Sequence, residues 1–301
     1  MAATKESTTM KEIDINAAAQ TGSVPTLIVA IEQGFPREQR IIDDELAAKF
    51  LPVGYRALIK LTRIAPLRDW LIKSSENQVV GFWTAMTCRK CYIDDRVTAA
   101  VSDGAVKGIV NLGAGLDTRV YRIPILTSVP VWEVDQPQNI AAKRRGIEHA
   151  LGRVPPHVTL VASNFLDDDL GSVLEKQGYA GDLPTFFIWE AVSQYLSETA
   201  VHETFQFLAQ APAGSRIAFT YVVKDFVEGN NAFGAQKFYA RIRDLWRFGF
   251  DIEQVPGFLE EYGWRMLEDR GYDTLSKQYL QSTGRDLPTM EIERMVYAEK
   301  T

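Results

Sequence analysis

The chain has little of what several protein classes require. Its 301 residues include only two cysteines and three histidines. Cys88 and Cys91 form a C-x-x-C, "CRKC", inside "GFWTAMTCRKCYIDDRV", which reads as helix. A thioredoxin-type redox pair would follow a strand, and a structural zinc site usually needs four ligands, whereas His149, His157 and His202 are scattered. Two reduced thiols and no metal are therefore expected. The longest strongly apolar stretches, such as "VPTLIVAI", are far shorter than the ~20 residues a spanning helix needs. The opening "MAATKESTTMKEIDINAAAQ" lacks the continuous apolar core of a secretory signal. A dense basic block is missing as well. Net charge is −6, and the tightest basic cluster, Lys143 to Arg145, falls within one expected helix. Neither nucleic acid nor a membrane is expected as a partner, and the expected compartment is the cytoplasm.

What is present is enough apolar residue, 46% of the chain, to bury a large core. Two regimes follow each other. Residues 1 to 103 carry helical pattern, as in "IIDDELAAKFL", where Ile42, Leu46, Phe50 and Leu51 recur at roughly helical spacing. "GYRALIKLTRIAPLRDWLIKSS" continues it, interrupted at Pro66. From Val106 strands and helices alternate. Strands are expected at 106–112, 129–135, 158–163, 185–190 and 216–223, several of them short continuous apolar runs of the kind buried on both faces of a parallel sheet. Pro137 and Gly152 bracket one intervening helix, and Ser197 can cap another. Two more strands close the chain at 263–269 and 292–299. The aromatic-rich stretch 224–258 between them and the fifth strand is expected mainly to pack, with the option of roofing a pocket. Such alternation predicts an α/β, doubly wound, Rossmann-like sheet with a crevice at the carboxyl ends of its strands.

Gly113 and Gly115 follow the first strand directly, allowing a sharp turn and close approach of a ligand to the backbone. The next strand ends at Asp135, about 20 residues on, where a carboxylate can accept from both ribose hydroxyls. Glu133 shares that face but sits two residues earlier. Together these residues imply a nucleoside-containing ligand. A dinucleotide fits less well: Thr118 stands where a third glycine would, and Asp117 sets a negative charge where a pyrophosphate would bind. A phosphate-free ligand with a positive centre, such as S-adenosylmethionine, suits the turn better.

With "GAGLDTRVYR", "WEVDQP" and "WEAVSQYL", the chain resembles the leucine carboxyl methyltransferase-like group of class I S-adenosylmethionine-dependent methyltransferases, from about Thr21 to the C-terminus. "TLIVAIEQGFPREQRIIDDELAAKFL" and "RKCYIDD" are similar to that group's opening helices. The resemblance implies a seven-stranded methyltransferase sheet, with 1–103 as a helical cap, 104–301 as the S-adenosylmethionine-binding core and 224–258 as a lid. It implies that Arg89 pairs with the cofactor's methionine carboxylate. It likewise assigns Gly113 and Gly115 to the turn, Asp135 to the ribose, Asn164 and Phe165 to adenine, and Glu190 to the neighbourhood of the ammonium. Asn164 replaces the family's usual aspartate and can still accept from the adenine amino group. Tyr195 is implied on the substrate side. Where the family's first helix often has Arg-Ala, this chain has Glu32-Gln33, which weakens any transfer of the phosphatase-modifying members' substrate.

The expected activity is S-adenosylmethionine-dependent O-methylation of a small-molecule carboxyl or hydroxyl group, of polyketide or other secondary-metabolite type. The alternative is a protein or peptide carboxyl terminus. More distant is a nicotinamide-dependent oxidoreductase, and a non-catalytic scaffold is disfavoured by the intact site residues. The sequence singles out no general base and leaves the catalytic residues and the oligomeric state open. A carboxylate acceptor would need no base, whereas a phenol, with a pKa near ~10, would gain from one. Arg241, Arg243 and Arg247 are candidates to meet an anionic acceptor.

Overall fold

The computed structural model describes residues 22–164 and 168–301. All seven expected strands are present, trimmed or shifted by up to two residues at their ends: β1 (Gly108–Leu112), β2 (Val131–Asp135), β3 (Val158–Ala162), β4 (Thr185–Trp189), β5 (Arg216–Val222), β6 (Trp264–Arg270) and β7 (Glu293–Lys300). They form one sheet in the order β3-β2-β1-β4-β5-β7-β6. The first five run parallel to one another, and β7 runs antiparallel between β5 and β6. Every residue of β1, β2 and β4 is buried, which explains why these strands read as unbroken apolar runs rather than alternating ones.

Register places the site. Leu112 lies opposite Val134, and Asn111 opposite Ile188, so the residues that follow β1, β2 and β4 emerge along one edge. After β1 the chain crosses to β2 on one side, while β4 pairs on the other. This is the topological switch point, where open parallel sheets form a crevice.

Helices behave largely as their local signals direct. Pro137 opens Pro137–Leu151 and Gly152, at φ 81°, ends it. The Ser197 hydroxyl accepts from the Ala200 N–H at 3.2 Å, and Val201, Phe205 and Leu208 fall on the buried face of Glu198–Leu208. Pro66 sits in the first turn of Ala65–Glu76, separating it from Tyr55–Leu61. One expectation is corrected. Of "IIDDELAAKFL" only Ala47–Phe50 is helical, because the Asp44 carboxylate accepts from the N–H groups of Leu46 and Ala47 and starts the helix there. Among the described residues up to 103 there is no strand. The helices of this region nonetheless share one buried cluster with the sheet, running from Ile28 through Trp83 and Val101 to Val110 and Phe187.

"CRKC" lies inside the long helix Phe82–Ser102, and both cysteines are free thiols. Burial pushes the Cys88 thiol up to about 12, which suits an inert packing residue.

Beneath the glycine turn lies a fully buried ion pair. Lys143 Nζ reaches Glu133 at 2.5 Å and also donates to the Ala114 carbonyl at 3.1 Å; the Tyr121 hydroxyl donates to the same carboxylate. Glu133 is thereby a structural residue, as its position below the strand end suggests. Removing one partner strands a charge without solvent. Lys143→Met is expected to cost about 3–5 kcal/mol in urea unfolding, with most of the loss recovered in Lys143→Met/Glu133→Leu. Equal stability of the single variant and the wild type would contradict this assignment.

Candidate active site

A cavity of about 350 Å3 opens at the switch point, between the carboxyl ends of β1, β2 and β4, the long helix Phe82–Ser102 and the insertion after β5. A neighbouring cleft of about 460 Å3 shares Gly115, Leu116 and Asn139 with it. The first cavity is the one on which the glycine turn and the acidic strand ends converge.

Gly113 has φ 73°, and a Cβ there would stand 2.2 Å from Val192 Cγ2. Both the backbone angle and the close approach of a stiff β-branched side chain require glycine. Gly115, at φ 43°, has its nearest such neighbour at 3.9 Å, so the ground beside it is open. Its N–H donates to Asp135 Oδ2 at 2.7 Å. Asp135 Oδ1 accepts from the Gln136 N–H and from Asn139 Nδ2, each at 2.7 Å. Asp135 thus ties the turn to the next helix while its side chain lines the cavity.

The polar end of the cavity is a buried charge network. Glu190 meets Arg119 at 2.7 Å, Arg89 at 2.9 Å and Lys90 at 3.1 Å. Burial opposes ionisation of this carboxyl, but Lys90, Arg119 and Arg89 hold it at about 2. Asp117 is likewise opposed by burial and held well below the usual carboxylate range by Arg119, at 2.9 Å, and by Lys90. Arg89 Nη1 also reaches Glu293 at 3.2 Å, and the Tyr272 hydroxyl donates to Glu293 at 3.1 Å. Burial raises the pKa of Glu293, only partly offset by Arg89. Behind these groups Arg119, Asp94, Arg122 and Asp44 continue the alternation. Ala191, next to Glu190, holds φ 57°, and its N–H donates to Thr220 Oγ1 at 2.8 Å. A non-glycine residue in this region is costly and is typical of sites where geometry is over-determined.

The other end is apolar: Phe82, Met86, Phe238, Ile242, Trp246 and Met290 line it. The insertion supplies three of these and packs on itself through Phe226, Phe238 and Trp246, with ring centroids 5.4–6.3 Å apart. It therefore both packs and roofs. Tyr195 meets Trp246 edge-on at 6.4 Å, and the Gln194 carbonyl accepts from the Arg247 N–H at 2.7 Å. On the cavity wall Asn111 Nδ2 and Gln194 Oε1 are buried and have no hydrogen-bond partner among the described residues.

Of the residues singled out from sequence, Arg89, Gly113, Gly115, Asp135, Asn164, Glu190 and Tyr195 all line this one cavity; Phe165 lies outside the described residues. The Asn164 N–H donates to Asp168 at 2.8 Å, so the residue also shapes its turn. Of the three arginines of the insertion only Arg247 lines the cavity; Arg241 donates to Gln78 at 2.8 Å and Arg243 lies 3.9 Å from Asp244. No histidine lines it. Glu32 is fully buried and receives Ile41 N–H, Trp83 Nε1 and Arg285, while Gln33 donates to the Val29 and Ile42 carbonyls, so both are framework residues. Sequence reasoning passed over Lys90, Arg119, Gln194 and Glu293. The first two carried a signal, as cations adjoining Arg89 and Asp117; Gln194 and Glu293 carried none.

The family model described as leucine carboxyl methyltransferase matches residues 23–209. A relative from Mycobacterium sp. (strain KMS), assigned as an S-adenosyl-L-methionine-dependent methyltransferase, is 31% identical over 88% of this chain and 91% of its own. One from Mycobacterium marinum with the same assignment is 27% identical over 83% and 84%. Among solved structures, a methyltransferase from Thermobifida fusca superposes with TM-score 0.58 at 14% identity, covering 84% of this chain and 94% of that one, a likeness of fold. S-adenosylmethionine is the cofactor of this enzyme class.

The charge network predicts a pH signature. Glu190 has a folded pKa of about 2 against 4.5 for the free side chain, so its contribution is complete above 4.5 and is lost as pH falls towards 2. Glu190→Gln should lower stability at pH 7 by about 3 kcal/mol, because three buried cations each lose one of their two or more counter-charges. Urea titrations between pH 4.5 and 2 should also show a shallower loss in the variant than in the wild type; parallel profiles would refute the role given to Glu190.

Proposed function

Because the chain belongs to the leucine carboxyl methyltransferase family, we propose that it transfers a methyl group from S-adenosylmethionine to a carboxyl or hydroxyl oxygen of a small molecule. The cofactor, when bound, supplies a methyl group already activated by a sulfonium leaving group. The protein's part is to position, to exclude water and to hold charges.

The residues present fit this cofactor. Asp135 takes the ribose hydroxyls, Asn164 the adenine edge and Glu190 the ammonium, while Arg89 and Lys90 attract the methionine carboxylate. Asp117 and Glu190, each already paired with cations, give the polar end matched fixed charges of both signs, which suit a zwitterionic amino-acid group. Thr118, in place of a third glycine, argues against a nicotinamide dinucleotide.

The observation that carries the acceptor reading is the division of one cavity into a charged end and an aromatic, aliphatic end roofed by Phe238 and Trp246. It favours a small molecule over a protein terminus. With no histidine on the wall among the described residues, with Glu190 and Asp117 too acidic to take a proton, and with Glu293 held by Arg89 and the Tyr272 hydroxyl, an acceptor that is already anionic at neutral pH is favoured. Tyr195 and Gln194 orient it.

The test is an S-adenosylhomocysteine-release assay on a panel of apolar carboxylic acids, phenols and carboxyl-terminal peptides. Turnover of a small acid with kcat/KM flat between about pH 6 and 9 is the expected result, since the carboxylate stays ionised throughout. Turnover of peptides alone would overturn the small-molecule reading. A rate rising with pH towards about 10 would identify a phenolic acceptor and overturn the preference for an anionic one.

A further inference from the structure

We infer that the helical pair Tyr55–Leu61 and Ala65–Glu76 forms a docking face for anionic lipid surfaces. Leu61, Ile64, Leu67 and Trp70 are 52%, 53%, 44% and 67% exposed. They recur at three-residue spacing. Leu67 and Trp70 lie one turn apart on Ala65–Glu76, while Leu61 ends the first helix and Ile64, extended at ψ 111°, sits in the short joint between the two. Isolated exposed apolar residues are ordinary, but a run of four with a tryptophan is not. No residue of Tyr55–Leu61 is buried, and Ala65–Glu76 buries only Arg68 and Ile72. These helices hold to the rest of the protein by a narrow edge and leave their apolar side outward.

Charge decides the occupant. Lys60 and Arg63 directly precede Leu61 and Ile64, and Lys73 lies one turn beyond Trp70; all three are exposed. The one exposed acid among them, Asp69, lies 3.4 Å from Arg68. The face is thus locally cationic on a chain of net charge −6. A second copy set against the same face in a two-fold dimer would bring its cations against these cations. An anionic bilayer surface satisfies both features, taking the aliphatic side chains and the indole at headgroup depth and the lysines and arginine on its phosphates. No described helix is long and apolar enough to cross a membrane, and surface attachment requires none. The absence of a spanning segment, from which no membrane partner was expected, leaves this mode open. The same segment is coupled to the roof of the cavity: Gln78, just past the second helix, accepts from Arg241 of the insertion.

The test is co-sedimentation of the purified full chain with phosphatidylcholine vesicles, with and without phosphatidylglycerol. Binding to the anionic vesicles, weakened by salt and by Lys60→Glu/Arg63→Glu/Lys73→Glu, and reduced by about tenfold or more in Leu67→Ser/Trp70→Ser, is the expected result. Unchanged circular dichroism and unchanged S-adenosylhomocysteine binding in both variants keep the comparison free of misfolding. If a variant fails that control, Trp70→Ser alone replaces it. No binding to either vesicle, or binding indifferent to charge, would overturn the proposal. So would a solution dimer that Trp70→Ser dissociates, since the face would then belong to a protein contact.

Discussion

Four cations and five carboxylates are packed out of solvent behind one wall of the cavity: Arg89, Lys90, Arg119 and Arg122 against Asp44, Asp94, Asp117, Glu190 and Glu293. Burying such groups costs several kcal/mol per ion, and the mutual attraction repays this only where the geometry is tight and every partner is in place. That condition ties five parts of the chain together: the turn at Asp44, the long helix Phe82–Ser102, the segment after the glycine turn, the end of β4 and the start of β7. The polar half of the cavity is what these elements enclose once their charges are matched. Its shape follows from an electrostatic constraint more than from the apolar core beneath it.

The same network explains the chemistry the cavity can support. Carboxylates locked to guanidinium groups are poor bases, so in the proposed function Glu190 and Asp117 would serve as fixed charges beside the cofactor's amino-acid group rather than as proton acceptors. Glu293, whose pKa burial raises, is held against Arg89 and Tyr272 at the far side of that cation. The apolar half then needs only to seat an acceptor in line and keep water away. Catalysis by positioning fits a site with a fixed, pre-paired set of charges and an aromatic roof that packs on itself.

Much of this was legible locally. Strands buried on both faces announce themselves as apolar runs, and the paired glycines and Asp135, at a spacing set by one strand–helix–strand unit, come together on one cavity as their positions suggest. What was not legible is long-range. Arg89 is 101 residues from Glu190 and 204 from Glu293 in sequence, and no local pattern reports that they meet. The helix expected over "IIDDELAAKFL" is shorter for a related reason. Asp44 caps at Leu46 and Ala47 while its other oxygen is drawn to Thr118 and Arg122, a tertiary pull that periodicity cannot see. Glu293 opens β7 between Ile292 and Arg294, and only the pairing of β7 beside β5 turns it towards the site.

The central claim is that this network reads the charged amino-acid end of the cofactor. Calorimetric titration of the wild-type protein with S-adenosylhomocysteine and, separately, with 5′-methylthioadenosine, which keeps the nucleoside and lacks the amino acid, tests it without any substitution. The account predicts that S-adenosylhomocysteine binds at least ~1.4 kcal/mol (tenfold) more tightly. Equal affinities would contradict it, leaving Asp135 and the glycine turn as a nucleoside site and the buried charges as framework alone.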